Sequence, residues 1–182
     1  MKTEAPDAGL TQDTRRGAAR VGRATMGERL GGFVYGTIVV LSVIVAGAKA
    51  FPSDPGQIAG FVAVTAVVFW LAHVYSHALA YSVGHDVHLS FAELGHIARR
   101  EASILEAGVP SVAALLLGAF GLISERTAIW IAIALGLVVL TVQGLLFARV
   151  ERLGWLGTLV VVALNLGLGL VLVALKLLVS HH

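Results

Sequence analysis

Length, composition and charge place this chain in a membrane. Its 182 residues would suffice for one soluble domain, but 57% of them are hydrophobic and only 13% are charged, with a mean hydropathy of +0.86, whereas soluble domains carry about 25% charged residues. Because cysteine is absent, a disulfide, a thiolate metal site and a cysteine nucleophile are excluded. The net charge of +2, without a basic patch interleaved with aromatic residues, gives no reason to expect nucleic acid as a partner.

The chain divides into a polar start and an apolar remainder. Residues 1–27 have mixed charge and contain Pro6, which predicts a disordered cytoplasmic tail. Residues 28–180 are predicted to form one all-α transmembrane domain, because their apolar runs are about 20 residues long or longer, enough for a helix to cross a hydrocarbon core about 30 Å thick. Five spans is the simplest count, at about 31–50, 58–81, 103–123, 127–148 and 154–179.

The segment between the second and third spans predicts a short amphipathic helix over about residues 89–100. Apolar residues alternate there with polar ones, and Ser90 followed by Glu93 fits a capping box that opens a helix. Such a helix is expected to lie in the inner membrane interface.

The distribution of Lys and Arg predicts the orientation of the bundle. With the N-terminus inside and the C-terminus outside, ten basic residues are cytoplasmic and three are not. The high ratio of Arg to Lys is typical of high-GC bacteria, so a multi-pass protein of the bacterial cytoplasmic membrane is expected. Ala48-Lys49-Ala50 resembles a signal-peptidase site, but the long polar head favours an uncleaved first helix. The cytoplasmic set is Lys2, Arg15, Arg16, Arg20, Arg23, Arg29, Arg99, Arg100, Arg149 and Arg152, against Lys49, Arg126 and Lys176 outside.

Ionisable residues inside the spans are the candidates for function, because each costs about 2.5–3.5 kcal/mol at the centre of a bilayer. His73 and His77 lie one turn apart on one face of the second span. At 1.5 Å per residue they stand about 12 Å and 6 Å from its inner end, and Glu106 stands about 7.5 Å from the inner end of the third span. Glu101 lies at that end itself, and Pro110 leaves the carbonyl of Glu106 without a helical donor. The sequence therefore predicts a polar pocket in the inner half of the membrane.

Two further polar residues extend this prediction along a proton or ion path. Gln143 lies at a similar depth in the fourth span, and Asn165 lies nearer the midplane in the fifth. The predicted path is His73, His77, Glu106, Gln143 and Asn165.

Several chemistries fit the pocket. Two imidazoles with one or two carboxylates match ligand sets for Zn²⁺ or Fe²⁺, here His73, His77 and Glu106, with Glu101 as a further ligand. The same groups are able to handle protons, because histidine titrates near neutrality. A di-iron histidine-box oxygenase needs more histidines than this segment offers. A channel or transporter subunit is one expected role, and a non-catalytic accessory or scaffold protein, whose polar cluster only packs helices, is the alternative. No catalytic residue or organic cofactor is predicted.

Small residues predict close helix contacts. Gly32 and Gly36 form a small-x3-small motif in the first span, and Ala163, Gly167 and Gly169 act similarly in the fifth. Such faces serve either packing within the chain or a homo-oligomer in the lipid bilayer.

The segments WLAHVYSHALA and EASILEAGVP resemble small five-span integral membrane proteins of high-GC bacteria, a group without an assigned activity. The resemblance covers most of residues 28–179. It implies five spans and the pairing of a His-bearing second helix with a Glu-bearing third, and it implies no substrate, cofactor or catalytic residue.

Overall fold

The structure, a computed structural model, describes residues 7–85 and 90–179. Within these two ranges the chain forms six α-helices and no strand, which confirms the all-α prediction. Helices suit an apolar chain in lipid because they satisfy their own backbone hydrogen bonds. The helices are α1 (Asp7–Ala50), α2 (Pro55–His85), α3 (Phe91–Arg100), α4 (Ser103–Ala119), α5 (Glu125–Val150) and α6 (Trp155–Val179).

Three helical stretches of the described ranges are long and apolar enough to cross a membrane. They are Arg29–Ala50, Pro55–Gly84 and Glu125–Val150. Helices α3 and α4 meet at a 46° bend and together are apolar enough for a broken span or a re-entrant loop, and Trp155–Val171 of α6 is a further apolar stretch. The membrane character is thus consistent with the prediction, and the count of five crossings stays a prediction.

The N-terminal segment differs from the expected disordered tail. Residues 1–6 lie outside the described range, but from Asp7 onward the chain is helical and runs without a break into the first span. Beyond Pro6 the segment contains many Ala and Arg residues, which are good helix formers. Extending an existing helix adds one hydrogen bond per residue and avoids a new nucleation cost.

The third predicted span ends four residues early, at Ala119 instead of residue 123. Gly121 stops the helix with a positive φ of 73°, a conformation that glycine adopts without a Cβ clash. The amide of Leu122 donates to the carbonyl of Leu117 at 3.0 Å, as in a Schellman motif.

The predicted capping box is confirmed at the start of α3. Residue 89, where the helix was predicted to begin, lies outside the described ranges. The backbone amide of Glu93 donates to Ser90 Oγ at 3.2 Å, and that of Ser90 donates to Glu93 Oε2 at 2.8 Å. None of the residues of α3 is buried, and Phe91 is 95% exposed. These contacts within the first turn therefore stabilise a helix that has little packing.

Replacing Ser90 with alanine should loosen the first turn of α3 by about 1 kcal/mol, the usual value of an N-cap. Hydrogen exchange should then be about fivefold faster at the amides of this turn and unchanged in α5. Ser90→Asp retains a good capping side chain and is the matched control. Equal exchange in wild type and Ser90→Ala would contradict a role for the cap.

Helix α1 is the centre of the bundle and packs against α2, α4, α5 and α6. Its residues Leu41 and Ile44 are fully buried together with Ile58 of α2, Leu115 of α4 and Leu140 of α5. The core therefore surrounds the second half of α1, and the more polar contacts lie towards the other end.

At that other end the spanning part of α1 begins, α2 ends, α4 begins, α5 ends and α6 begins. We call it the basic end, because it carries Arg29, Arg99, Arg100, Arg149 and Arg152.

Candidate functional site

A set of ionisable side chains lies at the basic end, where α2 meets the junction of α3 and α4. Glu101 is the C-cap of α3, and its side chain is only 9% exposed. His77 of α2 places Nδ1 at 3.2 Å from Glu101 Oε1, and Arg100 Nε lies 3.9 Å from the same oxygen. We call Arg29, His73, His77, Arg100, Glu101 and Glu106 the polar cluster.

The imidazole of His77 is accessible, whereas its partner is not. The His77 side chain is 47% exposed, and the Glu101 carboxylate lies beneath it in the turn between α3 and α4. A buried carboxylate requires charged or hydrogen-bonding partners, because an unpaired charge in an apolar region is costly. His77 and Arg100 provide these partners.

His73, the other histidine of the predicted pocket, is oriented by a contact with its own helix. His73 Nδ1 lies 3.0 Å from the carbonyl oxygen of Phe69, one turn earlier. A carbonyl only accepts, so Nδ1 carries the hydrogen, and in the neutral ring Nε2 is then the accepting atom. The ring of His73 also lies against Tyr35 of α1, with centroids 5.0 Å apart, and 6.5 Å from the ring of His77.

Glu106 does not face the imidazoles, which corrects the expected arrangement of the pocket. Its Oε2 lies 3.5 Å from the guanidinium of Arg29, and both side chains are more than half exposed. Such an exposed pair contributes little stability. From the sequence, Arg29 was assigned only to the cytoplasmic set of basic residues, although its spacing from Gly32 and Gly36 puts all three on one face of α1.

The predicted metal ligands are therefore divided between different partners. Among the described residues there is no group of three or more His, Cys, Asp or Glu side chains that could hold a metal ion. His77 with Glu101 offers two ligands, and Glu106 is paired with an arginine instead. The structure thus gives no support to the predicted Zn²⁺ or Fe²⁺ site.

Helix α3 is attached to α2 by two aromatic side chains that the sequence analysis did not assign. Trp70 Nε1 donates to the carbonyl of Ala98 at 3.0 Å, which satisfies one of the carbonyls left free at the end of α3. Tyr81 donates its hydroxyl to Glu93 at 3.4 Å. Together with His77–Glu101, these contacts connect α2 with α3 and its C-cap at three points.

Gln143 and Asn165 form a separate site on the opposite side of α1. Both line a cavity between α1, α5 and α6. Tyr35, which touches His73, also lines this cavity. The predicted path of five residues is thus divided into the polar cluster and this cavity, which we call the amide cavity.

No protein-family model matches the chain, and neither a curated protein nor a solved structure matches it. The interpretation of the site therefore depends on its geometry and chemistry.

Proposed function

We propose that this chain is an integral membrane protein of the bacterial inner membrane that binds a proton at its basic end, through His77 and Glu101. The observation that carries the proposal is the contact of 3.2 Å between an accessible imidazole and a buried carboxylate. By the positive-inside rule the basic end faces the cytoplasm, so the proton would come from that side.

The chemistry of the pair supports proton binding at one atom. His77 Nδ1 is directed to the carboxylate, which leaves Nε2 as the atom that accepts a proton. A hydrogen bond from a protonated imidazole to a carboxylate is roughly twice as strong as a neutral one. Proton uptake therefore strengthens the contact between α2 and the α3–α4 junction.

The charges of the polar cluster favour a response to a single proton. Arg29 and Arg100 balance Glu101 and Glu106, so the cluster is neutral while both imidazoles are neutral. Uptake of a proton by His77 gives the polar cluster a net charge of about +1. The imidazole of His73, one turn earlier on α2, lies beside a tyrosine ring instead of a carboxylate.

Proton binding fits this interior better than proton conduction does. Beyond the polar cluster, side-chain hydroxyls are used on backbone carbonyls: Thr37 donates to Phe33 and Ser42 to Ile38, each at 2.8 Å. Ser111 donates to Ala132 across the α4–α5 contact at 3.0 Å. We therefore propose a protonation-dependent attachment of α3 and no route through a single copy of the chain.

The test is a double-mutant cycle with His77→Gln, Glu101→Gln and the pair of substitutions, on full-length protein in lipid nanodiscs. The coupling free energy should approach about 1.7 kcal/mol, the upper range for polar contacts between membrane helices. It should be larger at about pH 5.5 than at about pH 8, because a protonated imidazole forms the stronger hydrogen bond to a carboxylate.

The pH dependence has a defined sign. If the native pair holds a proton that the unfolded chain releases, the free energy of unfolding falls as the pH rises through the range in which the imidazole deprotonates. This slope should disappear in His77→Gln and Glu101→Gln. His73→Gln is the matched control and should keep the slope. A slope that survives in His77→Gln would overturn the proposal.

A second candidate function is a non-catalytic accessory or scaffold protein. It is favoured by the fact that His77, Glu101 and Glu106 each have a partner on another element, as expected of groups that only hold helices together. In this case a stoichiometric membrane partner should copurify with the protein in mild detergent.

A further inference from the structure

The amide cavity is a second candidate site, distinct from the polar cluster. Its volume is about 480 Å³, within the range of about 300–1,000 Å³ typical of pockets for small molecules. It lies towards the basic end, and two of its lining residues, Leu164 and Phe147, are exposed at the surface of the bundle, which would face lipid in a membrane. A ligand is therefore able to enter from the lipid phase.

The wall of the cavity is apolar except near two carboxamides and a tyrosine. Val34, Ile38 and Val161 line it, and Gly27 and Gly31 leave room along α1. None of its described lining residues carries a charge. Since charged headgroups would find no counter-charge among these residues, the cavity favours a neutral ligand.

Gln143 provides the observation that points to a ligand. This residue is 8% exposed, and its Oε1 is buried without a hydrogen-bond partner among the described residues. Leaving such an acceptor unpaired costs about 1–3 kcal/mol, so buried side-chain amides are normally paired. Rotation about the aliphatic torsions of Gln143 as well as the terminal one moves the whole carboxamide towards the cavity, so that its carbonyl meets a donor there and its amide nitrogen does not take the buried position.

Asn165 supplies the complementary group on α6. It lines the same cavity. Its amide nitrogen packs over Gly144 of α5, and a Cβ added to that glycine would lie 3.0 Å from the nitrogen. Two carboxamides in an apolar wall provide an acceptor and donors within one small space. A single hydroxyl group on the ligand is able to donate to one amide and to accept from the other.

We propose that the amide cavity binds a neutral, single-chain lipid with a hydroxyl headgroup, of the monoacylglycerol class. Its hydroxyl donates to the carbonyl of Gln143 and accepts from Asn165, and its acyl chain lies along the apolar wall. A neighbouring transmembrane helix fits less well, because its backbone donors are already used within the helix. The proposal is independent of proton binding by the polar cluster.

The experiment uses the full-length protein in phosphatidylcholine nanodiscs and a monoacylglycerol with a photoreactive acyl chain. Crosslinked residues are mapped by mass spectrometry. Labelling should concentrate on the walls of the cavity in α1, α5 and α6, and unlabelled monoacylglycerol should compete. A fatty acid methyl ester with the same chain lacks the hydroxyl donor and should compete about tenfold more weakly, the factor that corresponds to one modest hydrogen bond.

Two variants and a matched control test the site. Gly31→Leu should fill the cavity and abolish labelling, because an added Cβ at Gly31 meets nothing within 4 Å. Gln143→Leu should weaken labelling about tenfold by removing the acceptor. Gly60→Leu is the control, since Gly60 is equally open but lies on α2, away from the cavity. It should label like wild type.

Three outcomes would overturn the proposal. Labelling spread over all lipid-facing residues, with equal yields in Gly31→Leu and Gly60→Leu, would mean ordinary lipid contact. Equal competition by the methyl ester would remove the role of the hydroxyl. A dimer of the chain in the nanodisc, with the cavity residues protected from labelling, would identify the cavity as an interface. If circular dichroism shows that Gln143→Leu does not fold, the labelling of Gly31→Leu and the competition by the methyl ester still decide the result.

Discussion

Replacing Gly36 with valine should force α1 and α4 apart and lower the free energy of unfolding by about 1–3 kcal/mol, the usual cost of overpacking. A Cβ at Gly36 would lie 2.8 Å from the carbonyl oxygen of Ile104 and 3.0 Å from its Cα. These are backbone atoms, which cannot rotate away as a side chain can. The two helices must therefore separate.

The measurement is unfolding by sodium dodecyl sulfate in mixed micelles, followed by circular dichroism. Gly60→Val is the matched control, because it introduces the same side chain into a helix where an added Cβ meets nothing within 4 Å. Gly32→Ala should have a smaller effect than Gly36→Val, since its nearest contact is the Ser103 hydroxyl at 2.8 Å, which is able to rotate. Equal losses at Gly36 and Gly60 would contradict the close approach.

The sequence predicted the Gly32–Gly36 face but not its partner. Four-residue spacing places both glycines on one side of a helix, and their lack of side chains permits close contact. In the structure this face packs against Ser103, Ile104 and Ala107 of α4. The spacing alone left open whether the partner was another helix of the chain or a second copy, because both demand the same small residues.

The end of the bundle at which the residues of the polar cluster lie was predictable, but rotation about the helix axis was not. His73 and His77 share a face, and Glu101 lies at their end of the bundle, as the spacing indicated. The partner of Glu106 could not be predicted from depth, because the spans are apolar around most of their circumference and show no polar face that fixes their rotation. The 46° bend between α3 and α4 brings Glu101 to His77 and leaves Glu106 to Arg29.

The other large effect is expected where α1 meets α5. Leu41 is fully buried, and a Cβ added at Gly136 would lie 2.5 Å from its Cδ2 and 2.7 Å from its Cγ. The leucine therefore fills a notch that Gly136 leaves open, and Gly169 of α6 lies beside the same side chain. Leu41→Ala should lower the free energy of unfolding by about 2–5 kcal/mol by leaving a cavity. The lower half of that range is expected, because lipid is as apolar as leucine and the transfer term is small.

Gly136→Ala alone should also destabilise, by about 1–3 kcal/mol, because the new methyl group collides with Leu41. In a Leu41→Ala background the collision is gone, and alanine is the better helix former by about 1 kcal/mol. The double variant should therefore be about 1 kcal/mol more stable than Leu41→Ala, which corresponds to a coupling of about 2–4 kcal/mol between the sites. Combining Leu41→Ala with Gly60→Ala should give additive effects. If Gly136→Ala costs the same with and without Leu41, α1 does not pack into this notch, and the position of α1 between α4 and α5 is wrong.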